Sequence, residues 1–409
     1  LQEISPLPTK LTEDPDMPTQ FNSSIYTNDA PQVDAGSIGI LRKAGALIFG
    51  KTTTTEFAAI TVGPKTKNPH DPNRTPGGSS SGSGAAVGDF QAPIGLGTQT
   101  GGSTIRPGSY NGIYALKPTW NSITREGQKI YSLILDTLGL YARSVADLEL
   151  LADTFAIHDD SPAPTDFKVQ GAKFAVLKTM VWPHIGPGGE AAMSKAVSLL
   201  REQGAEVEEI ELPARLFDLP KWHATVLNSD GRTAFLPEYA MAKEQLNSQL
   251  VGHVENSDKI SRKAQLDAFD NISAARPVVD EILGKYAAVL TPSVPDEAPL
   301  GTVSTGSATF CLIWTVSFAL WLSGSSSLTR SHRRCTHRWS TFRASRAKMA
   351  CQLAFHLSRL ATTTDVCWLS AKRLAKSSKP KAAGNETFLL APRELTRSWS
   401  NVDIFVCTI

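Results

Sequence analysis

Two clusters rich in glycine and serine hold the residue types best suited to chemistry: Gly77-Gly-Ser79-Ser80-Ser-Gly-Ser83-Gly84 and Gly97-Thr-Gln99-Thr100-Gly101-Gly102-Ser103. A serine hydroxyl hardly ionises near neutral pH, so a serine nucleophile needs a nearby base and donors for the developing oxyanion. Both clusters can supply such parts. Ser79, Ser80 and Ser103 are the candidate hydroxyls, and the glycine-rich turn Thr98–Ser103 exposes consecutive backbone N–H groups of the kind that bind anions.

The surrounding chain must position these groups. Gly77-Gly78 lets the backbone turn where side chains would clash, and Ser83 to Val87 reads as the start of a helix. Ser79 and Ser80 then sit just before its electropositive end. Ala92 to Gly97 reads as a short buried strand. Taken alone, Gly77 to Gly84 could be a flexible linker, but linkers seldom pass straight into Ala-Ala-Val and a strand. Upstream, Ser37 to Ala44 reads as an amphipathic helix ending at Gly45, with Ala46 to Phe49 as a buried strand. Downstream, Ser144 and Asp147 form a capping box that starts a helix through about Phe155. Residues 156–172 are polar and rich in Pro and Asp, a surface connection. Strand-like Lys173–Leu177, a helix over Glu190–Gln203 stopped by Gly204, and strand-like Ala205–Leu212 continue an α/β alternation.

These residues resemble the amidase signature family, whose pattern is Gly-Gly-Ser-Ser-Gly-Gly-Ser followed at a fixed distance by Gly-Thr-Asp-x-Gly-Gly-Ser. Further matches are Gly112 to Lys117-Pro118-Thr119, the run Asp136-Thr-Leu-Gly-Leu-Tyr-Ala-Arg-Ser-Val-Ala-Asp-Leu, and Asp16 to Tyr26, which resembles fungal members. The resemblance implies an α/β/α fold with a mixed central β-sheet covered by helices. It also implies a Ser–Ser–Lys triad that hydrolyses a carboxylic amide through an acyl-enzyme, with Ser103 as nucleophile and Ser79, held on a cis peptide, as the relay. The N–H groups of Thr100, Gly101, Gly102 and Ser103 would form the oxyanion hole, supported by Ser80, Gln99 and Arg106. Gln99 occupies the family's Asp position, and Arg106 lies one place later than the usual arginine. The triad lysine falls on Lys10, the one lysine upstream of Asp16; read by itself, Lys10 is as readily a solvated surface residue. Tyr286 to Pro295 resembles a late buried strand of the same fold.

Other motifs compete for attention. Gly45 to Thr52 formally fits the phosphate loop G-x-x-x-x-G-K-T, yet its central residues are apolar and β-prone and follow a helix, so they are better read as a strand. Gly78 to Gly82 fits the G-x-S-x-G elbow of α/β-hydrolases, which needs a buried strand immediately before it. Residues 68–76 hold three prolines and cannot be one. His158, His184, His223 and His253 could complete a Ser-His-Asp triad, but none has a distinguishing setting.

Composition sets the remaining bounds. A chain of 409 residues, 41% hydrophobic and 20% charged, is ordinary for a globular protein with one large core or two domains. The longest apolar run, Phe310 to Leu322, falls short of the roughly 20 residues of a membrane-spanning helix. No secretory leader is visible at the start, which is not a methionine. All five cysteines (Cys311, Cys335, Cys351, Cys367, Cys407) lie late, which gives no disulfide framework and points to a reducing, cytoplasmic compartment. The expected ligand is a small amide, with neither nucleic acid nor membrane as partner, a homodimer as the assembly to consider, and no metal or organic cofactor.

The net charge of +2 conceals an asymmetry: residues 319–409 hold 15 Lys/Arg against 4 Asp/Glu, and the preceding residues 26 against 35. Beyond about Phe318 the resemblance stops. Back-translating Lys348 to Trp368 with permitted codons and a one-nucleotide displacement gives NGLPVGVSLVAPRYDDRRLL, the segment the family should show there. The single codons of Met349 and Trp368 limit the freedom of that exercise. The sequence therefore divides into an amidase signature domain, residues 1–318, shortened at its start, and a frame-displaced basic tail, residues 319–409, whose His332, Cys335 and His337 lack a second ligand pair for zinc. Two further readings stay open: an inactive or binding-only remnant of the same fold, and a transamidosome A subunit that delivers ammonia to charged tRNA.

Overall fold

The computed structural model describes the backbone of residues 2–5 and, in full, residues 18–27, 33–157 and 167–302. Lys10 and the whole of 319–409 lie outside the described residues. In chain order the first part runs β1 (Gln2–Ser5), α1 (Gly36–Lys43), β2 (Leu47–Lys51), α2 (Ser81–Gly88), β3 (Ile94–Gln99), α3 (Ile105–Tyr110), β4 (Tyr114–Leu116), β5 (Thr137–Ala142) and α4 (Val145–Thr154). Its five strands form one sheet in the order β2-β1-β3-β5-β4, with β1 parallel to β2 and β3, and β5 antiparallel to β3 and β4.

The period-two pattern of β3 and β5 explains why this sheet accepts helices on both faces. Ile94 and Leu96 of β3, with Leu138, Leu140 and Ala142 of β5, join a core with Ile38 and Leu41 of α1 and Leu148 and Leu151 of α4. The alternate positions carry Gly97, Gly139 and Tyr141. On that face Tyr141 packs with Val87 of α2 and Ile105 of α3. A Cβ on Gly97 would lie 2.7 Å from the Tyr141 ring and 2.9 Å from Ser80 Oγ, and one on Gly139 would overlap Thr104. Glycine there lets the two serine-bearing loops lie directly on the sheet.

The remaining described residues form β6 (Lys173–Lys178), α5 (Pro187–Glu202), β7 (Glu206–Glu211), α6 (Leu219–Ala234), α7 (Leu236–Ala242), α8 (Ser248–Val254), α9 (Arg262–Leu283) and β8 (Ala288–Leu290). Here the strands make a separate parallel sheet, β7-β6-β8. Buried residues of β6, α6 and α9, among them Ala175, Leu177, Val226, Ile272 and Val279, form one core; β6, α5 and β8 share another through Phe174, Leu200 and Leu290.

Most local expectations hold with small shifts, but the strand expected to be buried over Ala46–Phe49 is β2, at one end of the strand order, where Ile48 is buried while Leu47 and Phe49 are more than half exposed. Gly45 and Gly204, at φ +86° and +80°, follow α1 and α5 where a left-handed residue ends a helix. Ser144 Oγ accepts from Asp147 N at 3.1 Å, so the capping box starts α4 as expected. Gly50 and Lys51 are strand residues of β2, which removes the phosphate-loop reading. The helix expected from Ser83 begins at Ser81, one residue after Ser80. The four α-helices between residues 219 and 283 were not among the elements read from the sequence.

Candidate active site

Ser79 lies on the loop that enters α2, and Ser103 on the turn between β3 and α3. The Gly78–Ser79 peptide bond is cis. Arg106 Nε donates to Gly78 O at 2.9 Å, and Thr55 N donates to Ser79 O at 3.1 Å, so carbonyls on either side of that bond are tied to neighbouring segments. Ser80 N donates to Ser103 O at 3.3 Å, which brings the two serine loops together, and Tyr141 Oη donates to the same carbonyl at 3.2 Å.

The three serines have different surroundings. Ser80 is fully buried; its hydroxyl accepts from Thr98 N at 3.1 Å and donates to Thr98 O at 3.3 Å, a bond pair that ties the first loop to the end of β3. Ser103 is half-buried. Ser79 is 4% exposed, and its Oγ has no hydrogen-bond partner among the described residues. Burying a hydroxyl without a partner costs about 1–3 kcal/mol, which sets Ser79 apart from the doubly bonded Ser80.

Gln99 stands where the family pattern has an acid, and it does an acceptor's work. Its Oε1 accepts from Thr104 N at 3.0 Å and Ile105 N at 3.1 Å, satisfying first-turn donors of α3. The N–H groups of Gly101, Gly102 and Ser103 make no backbone or side-chain hydrogen bond among the described residues. Three successive donors on the Ser103 loop are therefore unpaired among the described residues, and runs of successive N–H groups can bind anions. Of the residues singled out from sequence, Ser79 and Ser80 lie on the first loop and Gln99, Thr100, Gly101, Gly102, Ser103 and Arg106 on the end of β3, the second loop and α3, the two segments being joined by the bonds of Ser80 to Ser103 and Thr98 and of Arg106 to Gly78. Lys117, left out of the triad, is 3% exposed and donates to Pro118 O at 3.0 Å.

Sequence reasoning missed the support behind Thr100. Its Oγ1 donates to Asp136 Oδ1 at 2.6 Å, and its carbonyl accepts from His223 Nε2 at 3.2 Å. Asp136 also accepts from Tyr131 N at 2.7 Å, while burial pushes its carboxyl up to about 6. His223 is completely buried, and that burial pulls its imidazole down to about 4. Asp136 was visible inside a family motif. His223 gave one weak signal, its place with Leu219 and Val226 on the buried stripe of α6.

Among the described residues there is no group of three His, Cys, Asp or Glu side chains that could hold a metal ion, and no helix long and apolar enough to cross a membrane.

Comparison with known proteins bears on the family and the fold. The glutamyl-tRNA(Gln) amidotransferase A subunit of Symbiobacterium thermophilum is 37% identical over 224 residues, covering 51% of this chain and 46% of that one. The corresponding chloroplastic/mitochondrial protein of Zea mays is 32% identical, with 54% and 45% covered. The chain thus spans about half the length of the curated relatives it matches. A crystal structure of an amidase superposes with a TM-score of 0.68 at 26% identity, covering 78% of this chain and 74% of that one. The family described as Amidase matches residues 12–329, most of the chain, and together with the fold and the paired serine loops this shows that the chain belongs to the Amidase family.

Proposed function

We propose that this chain hydrolyses a carboxylic amide to the acid and ammonia or an amine, with Ser103 as nucleophile. The observation that carries this reading is the run of N–H groups at Gly101, Gly102 and Ser103 that are unpaired among the described residues, on a loop bonded to the one that carries the buried Ser79 hydroxyl, itself without a partner among those residues. Ser103 Oγ attacks the carbonyl carbon and gives its proton to Ser79 Oγ, which passes its own to a neutral lysine, assigned to Lys10. Burial must hold that lysine's pKa down for it to accept a proton. The backbone donors at 100–103 stabilise the negative oxygen. Collapse breaks the C–N bond as Ser79 protonates the leaving nitrogen and recovers a proton from the lysine. Water then enters, gives a proton along the same relay, and releases the acid from Ser103. The ligand is a small amide, and the reaction calls on no resident cofactor.

A fluorophosphonate probe tests the assignment. It should label the full chain, and Ser103→Ala should abolish the label while Ser80→Ala keeps it. No labelling of a folded wild-type chain would favour the binding-only remnant.

A second reading rests on the relatives named as amidotransferase A subunits. Under it the same serines release ammonia for a partner protein. Co-purification of a stoichiometric partner, with hydrolysis dependent on it, would favour this over a free-standing hydrolase.

A further inference from the structure

His223 lies on α6, remote in sequence from both serine loops, yet its one hydrogen bond among the described residues reaches the second loop. The acceptor is a carbonyl oxygen, which has only lone pairs, so Nε2 must carry the ring proton and Nδ1 must be bare. Nδ1 is buried and without a partner among the described residues. For packing alone a leucine would serve this fully buried position better, because it would bury no unpaired ring nitrogen.

The bonded carbonyl belongs to the peptide that joins Thr100 to Gly101. In a planar trans peptide the C=O and the N–H point in opposite directions. Holding Thr100 O toward α6 therefore directs the Gly101 N–H away from α6. The residues that follow, Gly101 and Gly102, lack a Cβ and have the widest backbone freedom of any residue type, so this peptide has little local reason to keep one orientation. Thr100 is gripped twice: at its hydroxyl by Asp136 and at its carbonyl by His223.

We propose that His223 is a positioning residue for amide hydrolysis, fixing the Thr100–Gly101 peptide so that the Gly101 N–H serves as an oxyanion donor. This rests on the hydrolase reading above. Burial keeps the ring neutral across the neutral pH range, so it stays a one-proton donor with a fixed tautomer. The helical half of the chain thereby reaches the reacting centre through main chain alone, without touching substrate.

The test uses the full chain, a panel of simple primary and anilide carboxamides, and three variants. His223→Leu removes the donor at similar volume; His223→Gln places an amide N–H near the position of Nε2; His223→Asn is too short to reach. The expected result is a fall in kcat of roughly tenfold to a hundredfold for His223→Leu, the range for losing one oxyanion donor or somewhat less, with KM changed less than about threefold and the melting temperature equal to wild type or higher. His223→Gln should recover kcat to within about threefold, and His223→Asn should not. Should His223→Leu fail to fold, the Gln and Asn pair decides. Nitrogen-15 spectra of the wild-type ring should show the Nε2–H tautomer at pH 7. Wild-type kcat in a folded His223→Leu chain, equal impairment of Gln and Asn, or an Nδ1–H ring would each overturn the inference while leaving the hydrolase reading intact. A folded wild-type chain that neither hydrolyses amides nor takes up a fluorophosphonate would overturn both.

Discussion

Arg106 reaches back from α3 to place its Nε 2.9 Å from the carbonyl oxygen of Gly78, joining the helix that follows Ser103 to the loop that carries Ser79. The side chain is 4% exposed, so this charge-assisted bond is made out of contact with bulk water. The arginine sits one place later than the family pattern has it, and still ties the two loops together.

Removing that guanidinium should therefore cost stability and activity together. Arg106→Met leaves a buried carbonyl short of its donor, and we expect a loss of about 2–3 kcal/mol in denaturant unfolding. Hydrolysis should fall at least tenfold because the two loops lose their common anchor. Arg106→Lys should not restore it, since an ammonium on a flexible stem does not reproduce the planar donor edge. Wild-type stability in Arg106→Met would show that the bond contributes nothing.

The three site serines should separate cleanly by phenotype. Ser80→Ala strips two bonds from Thr98 and leaves its N–H unpaired, so it should destabilise the fold by about 1–3 kcal/mol while Ser103 remains open to the probe. Ser103→Ala, at a half-buried position, should leave stability within about 0.5 kcal/mol and abolish labelling. Ser79→Ala removes a buried hydroxyl that has no partner among the described residues, so it should cost less stability than Ser80→Ala and yet slow hydrolysis by several orders of magnitude. Hydrolysis at the wild-type rate in Ser79→Ala would contradict its role as the relay.

Gly97 offers a test of close approach. An added methyl would meet the Tyr141 ring at 2.7 Å and Ser80 Oγ at 2.9 Å. Neither neighbour can easily yield: Tyr141 is fully buried with its hydroxyl on Ser103 O, and Ser80 is bonded to Thr98. Gly97→Ala should cost roughly 1–3 kcal/mol, the usual range for overpacking, and should weaken labelling of Ser103 by displacing its loop. Gly171→Ala is the control, with no atom near an added Cβ; its positive φ of 74° should alone cost about 1 kcal/mol.

Asp136 and His223 shift in opposite directions, and their pH effects should mask each other. The Asp136 pKa is raised by burial from 3.8 to about 6, so folding takes up a proton between those values and stability falls as pH rises through that window. The His223 pKa is lowered by burial from 6.5 to about 4, so its contribution to stability is complete above 6.5 and is lost as pH falls toward 4. Each shift corresponds to about 3 kcal/mol over its window, and the slopes nearly cancel between pH 4 and 6. Relative to wild type, His223→Gln should uncover a stability that declines from pH 4 to 6, and Asp136→Asn one that climbs from pH 4 to 6.5. Arg125, which lowers the Asp136 pKa, and the neighbouring Asp230, whose own pKa is raised by burial, are present in both variants, so the difference from wild type isolates the pair. Parallel pH profiles for all three proteins would refute the assignment.

Much of this site could be read from one dimension because it is built from short-range rules. Gly77-Gly78 and Gly101-Gly102 announce turns that side chains would obstruct; Ser144 and Asp147 announce a helix start; Gly45 and Gly204 announce helix ends. The apolar run from Ala92 to Gly97 announces a short buried strand. The spacing of the two clusters then carried the family resemblance, and with it Ser79 and Ser103.

What the chain alone could not reveal is which distant groups close around those loops. Gln99 departs from the expected acid, and only its position above the first turn of α3 shows that its amide oxygen accepts from the N–H groups of Thr104 and Ile105. His223 had no distinguishing setting in the sequence until α6 packed it under Thr100, more than a hundred residues away in sequence. Asp136 belonged to a motif, but its bond to Thr100 and its burial arise from the packing of separate segments. Turns, caps and strand faces are decided by neighbours within a few residues, whereas hydrogen bonds across the core and the desolvation that moves a pKa exist only once remote segments share one water-poor volume.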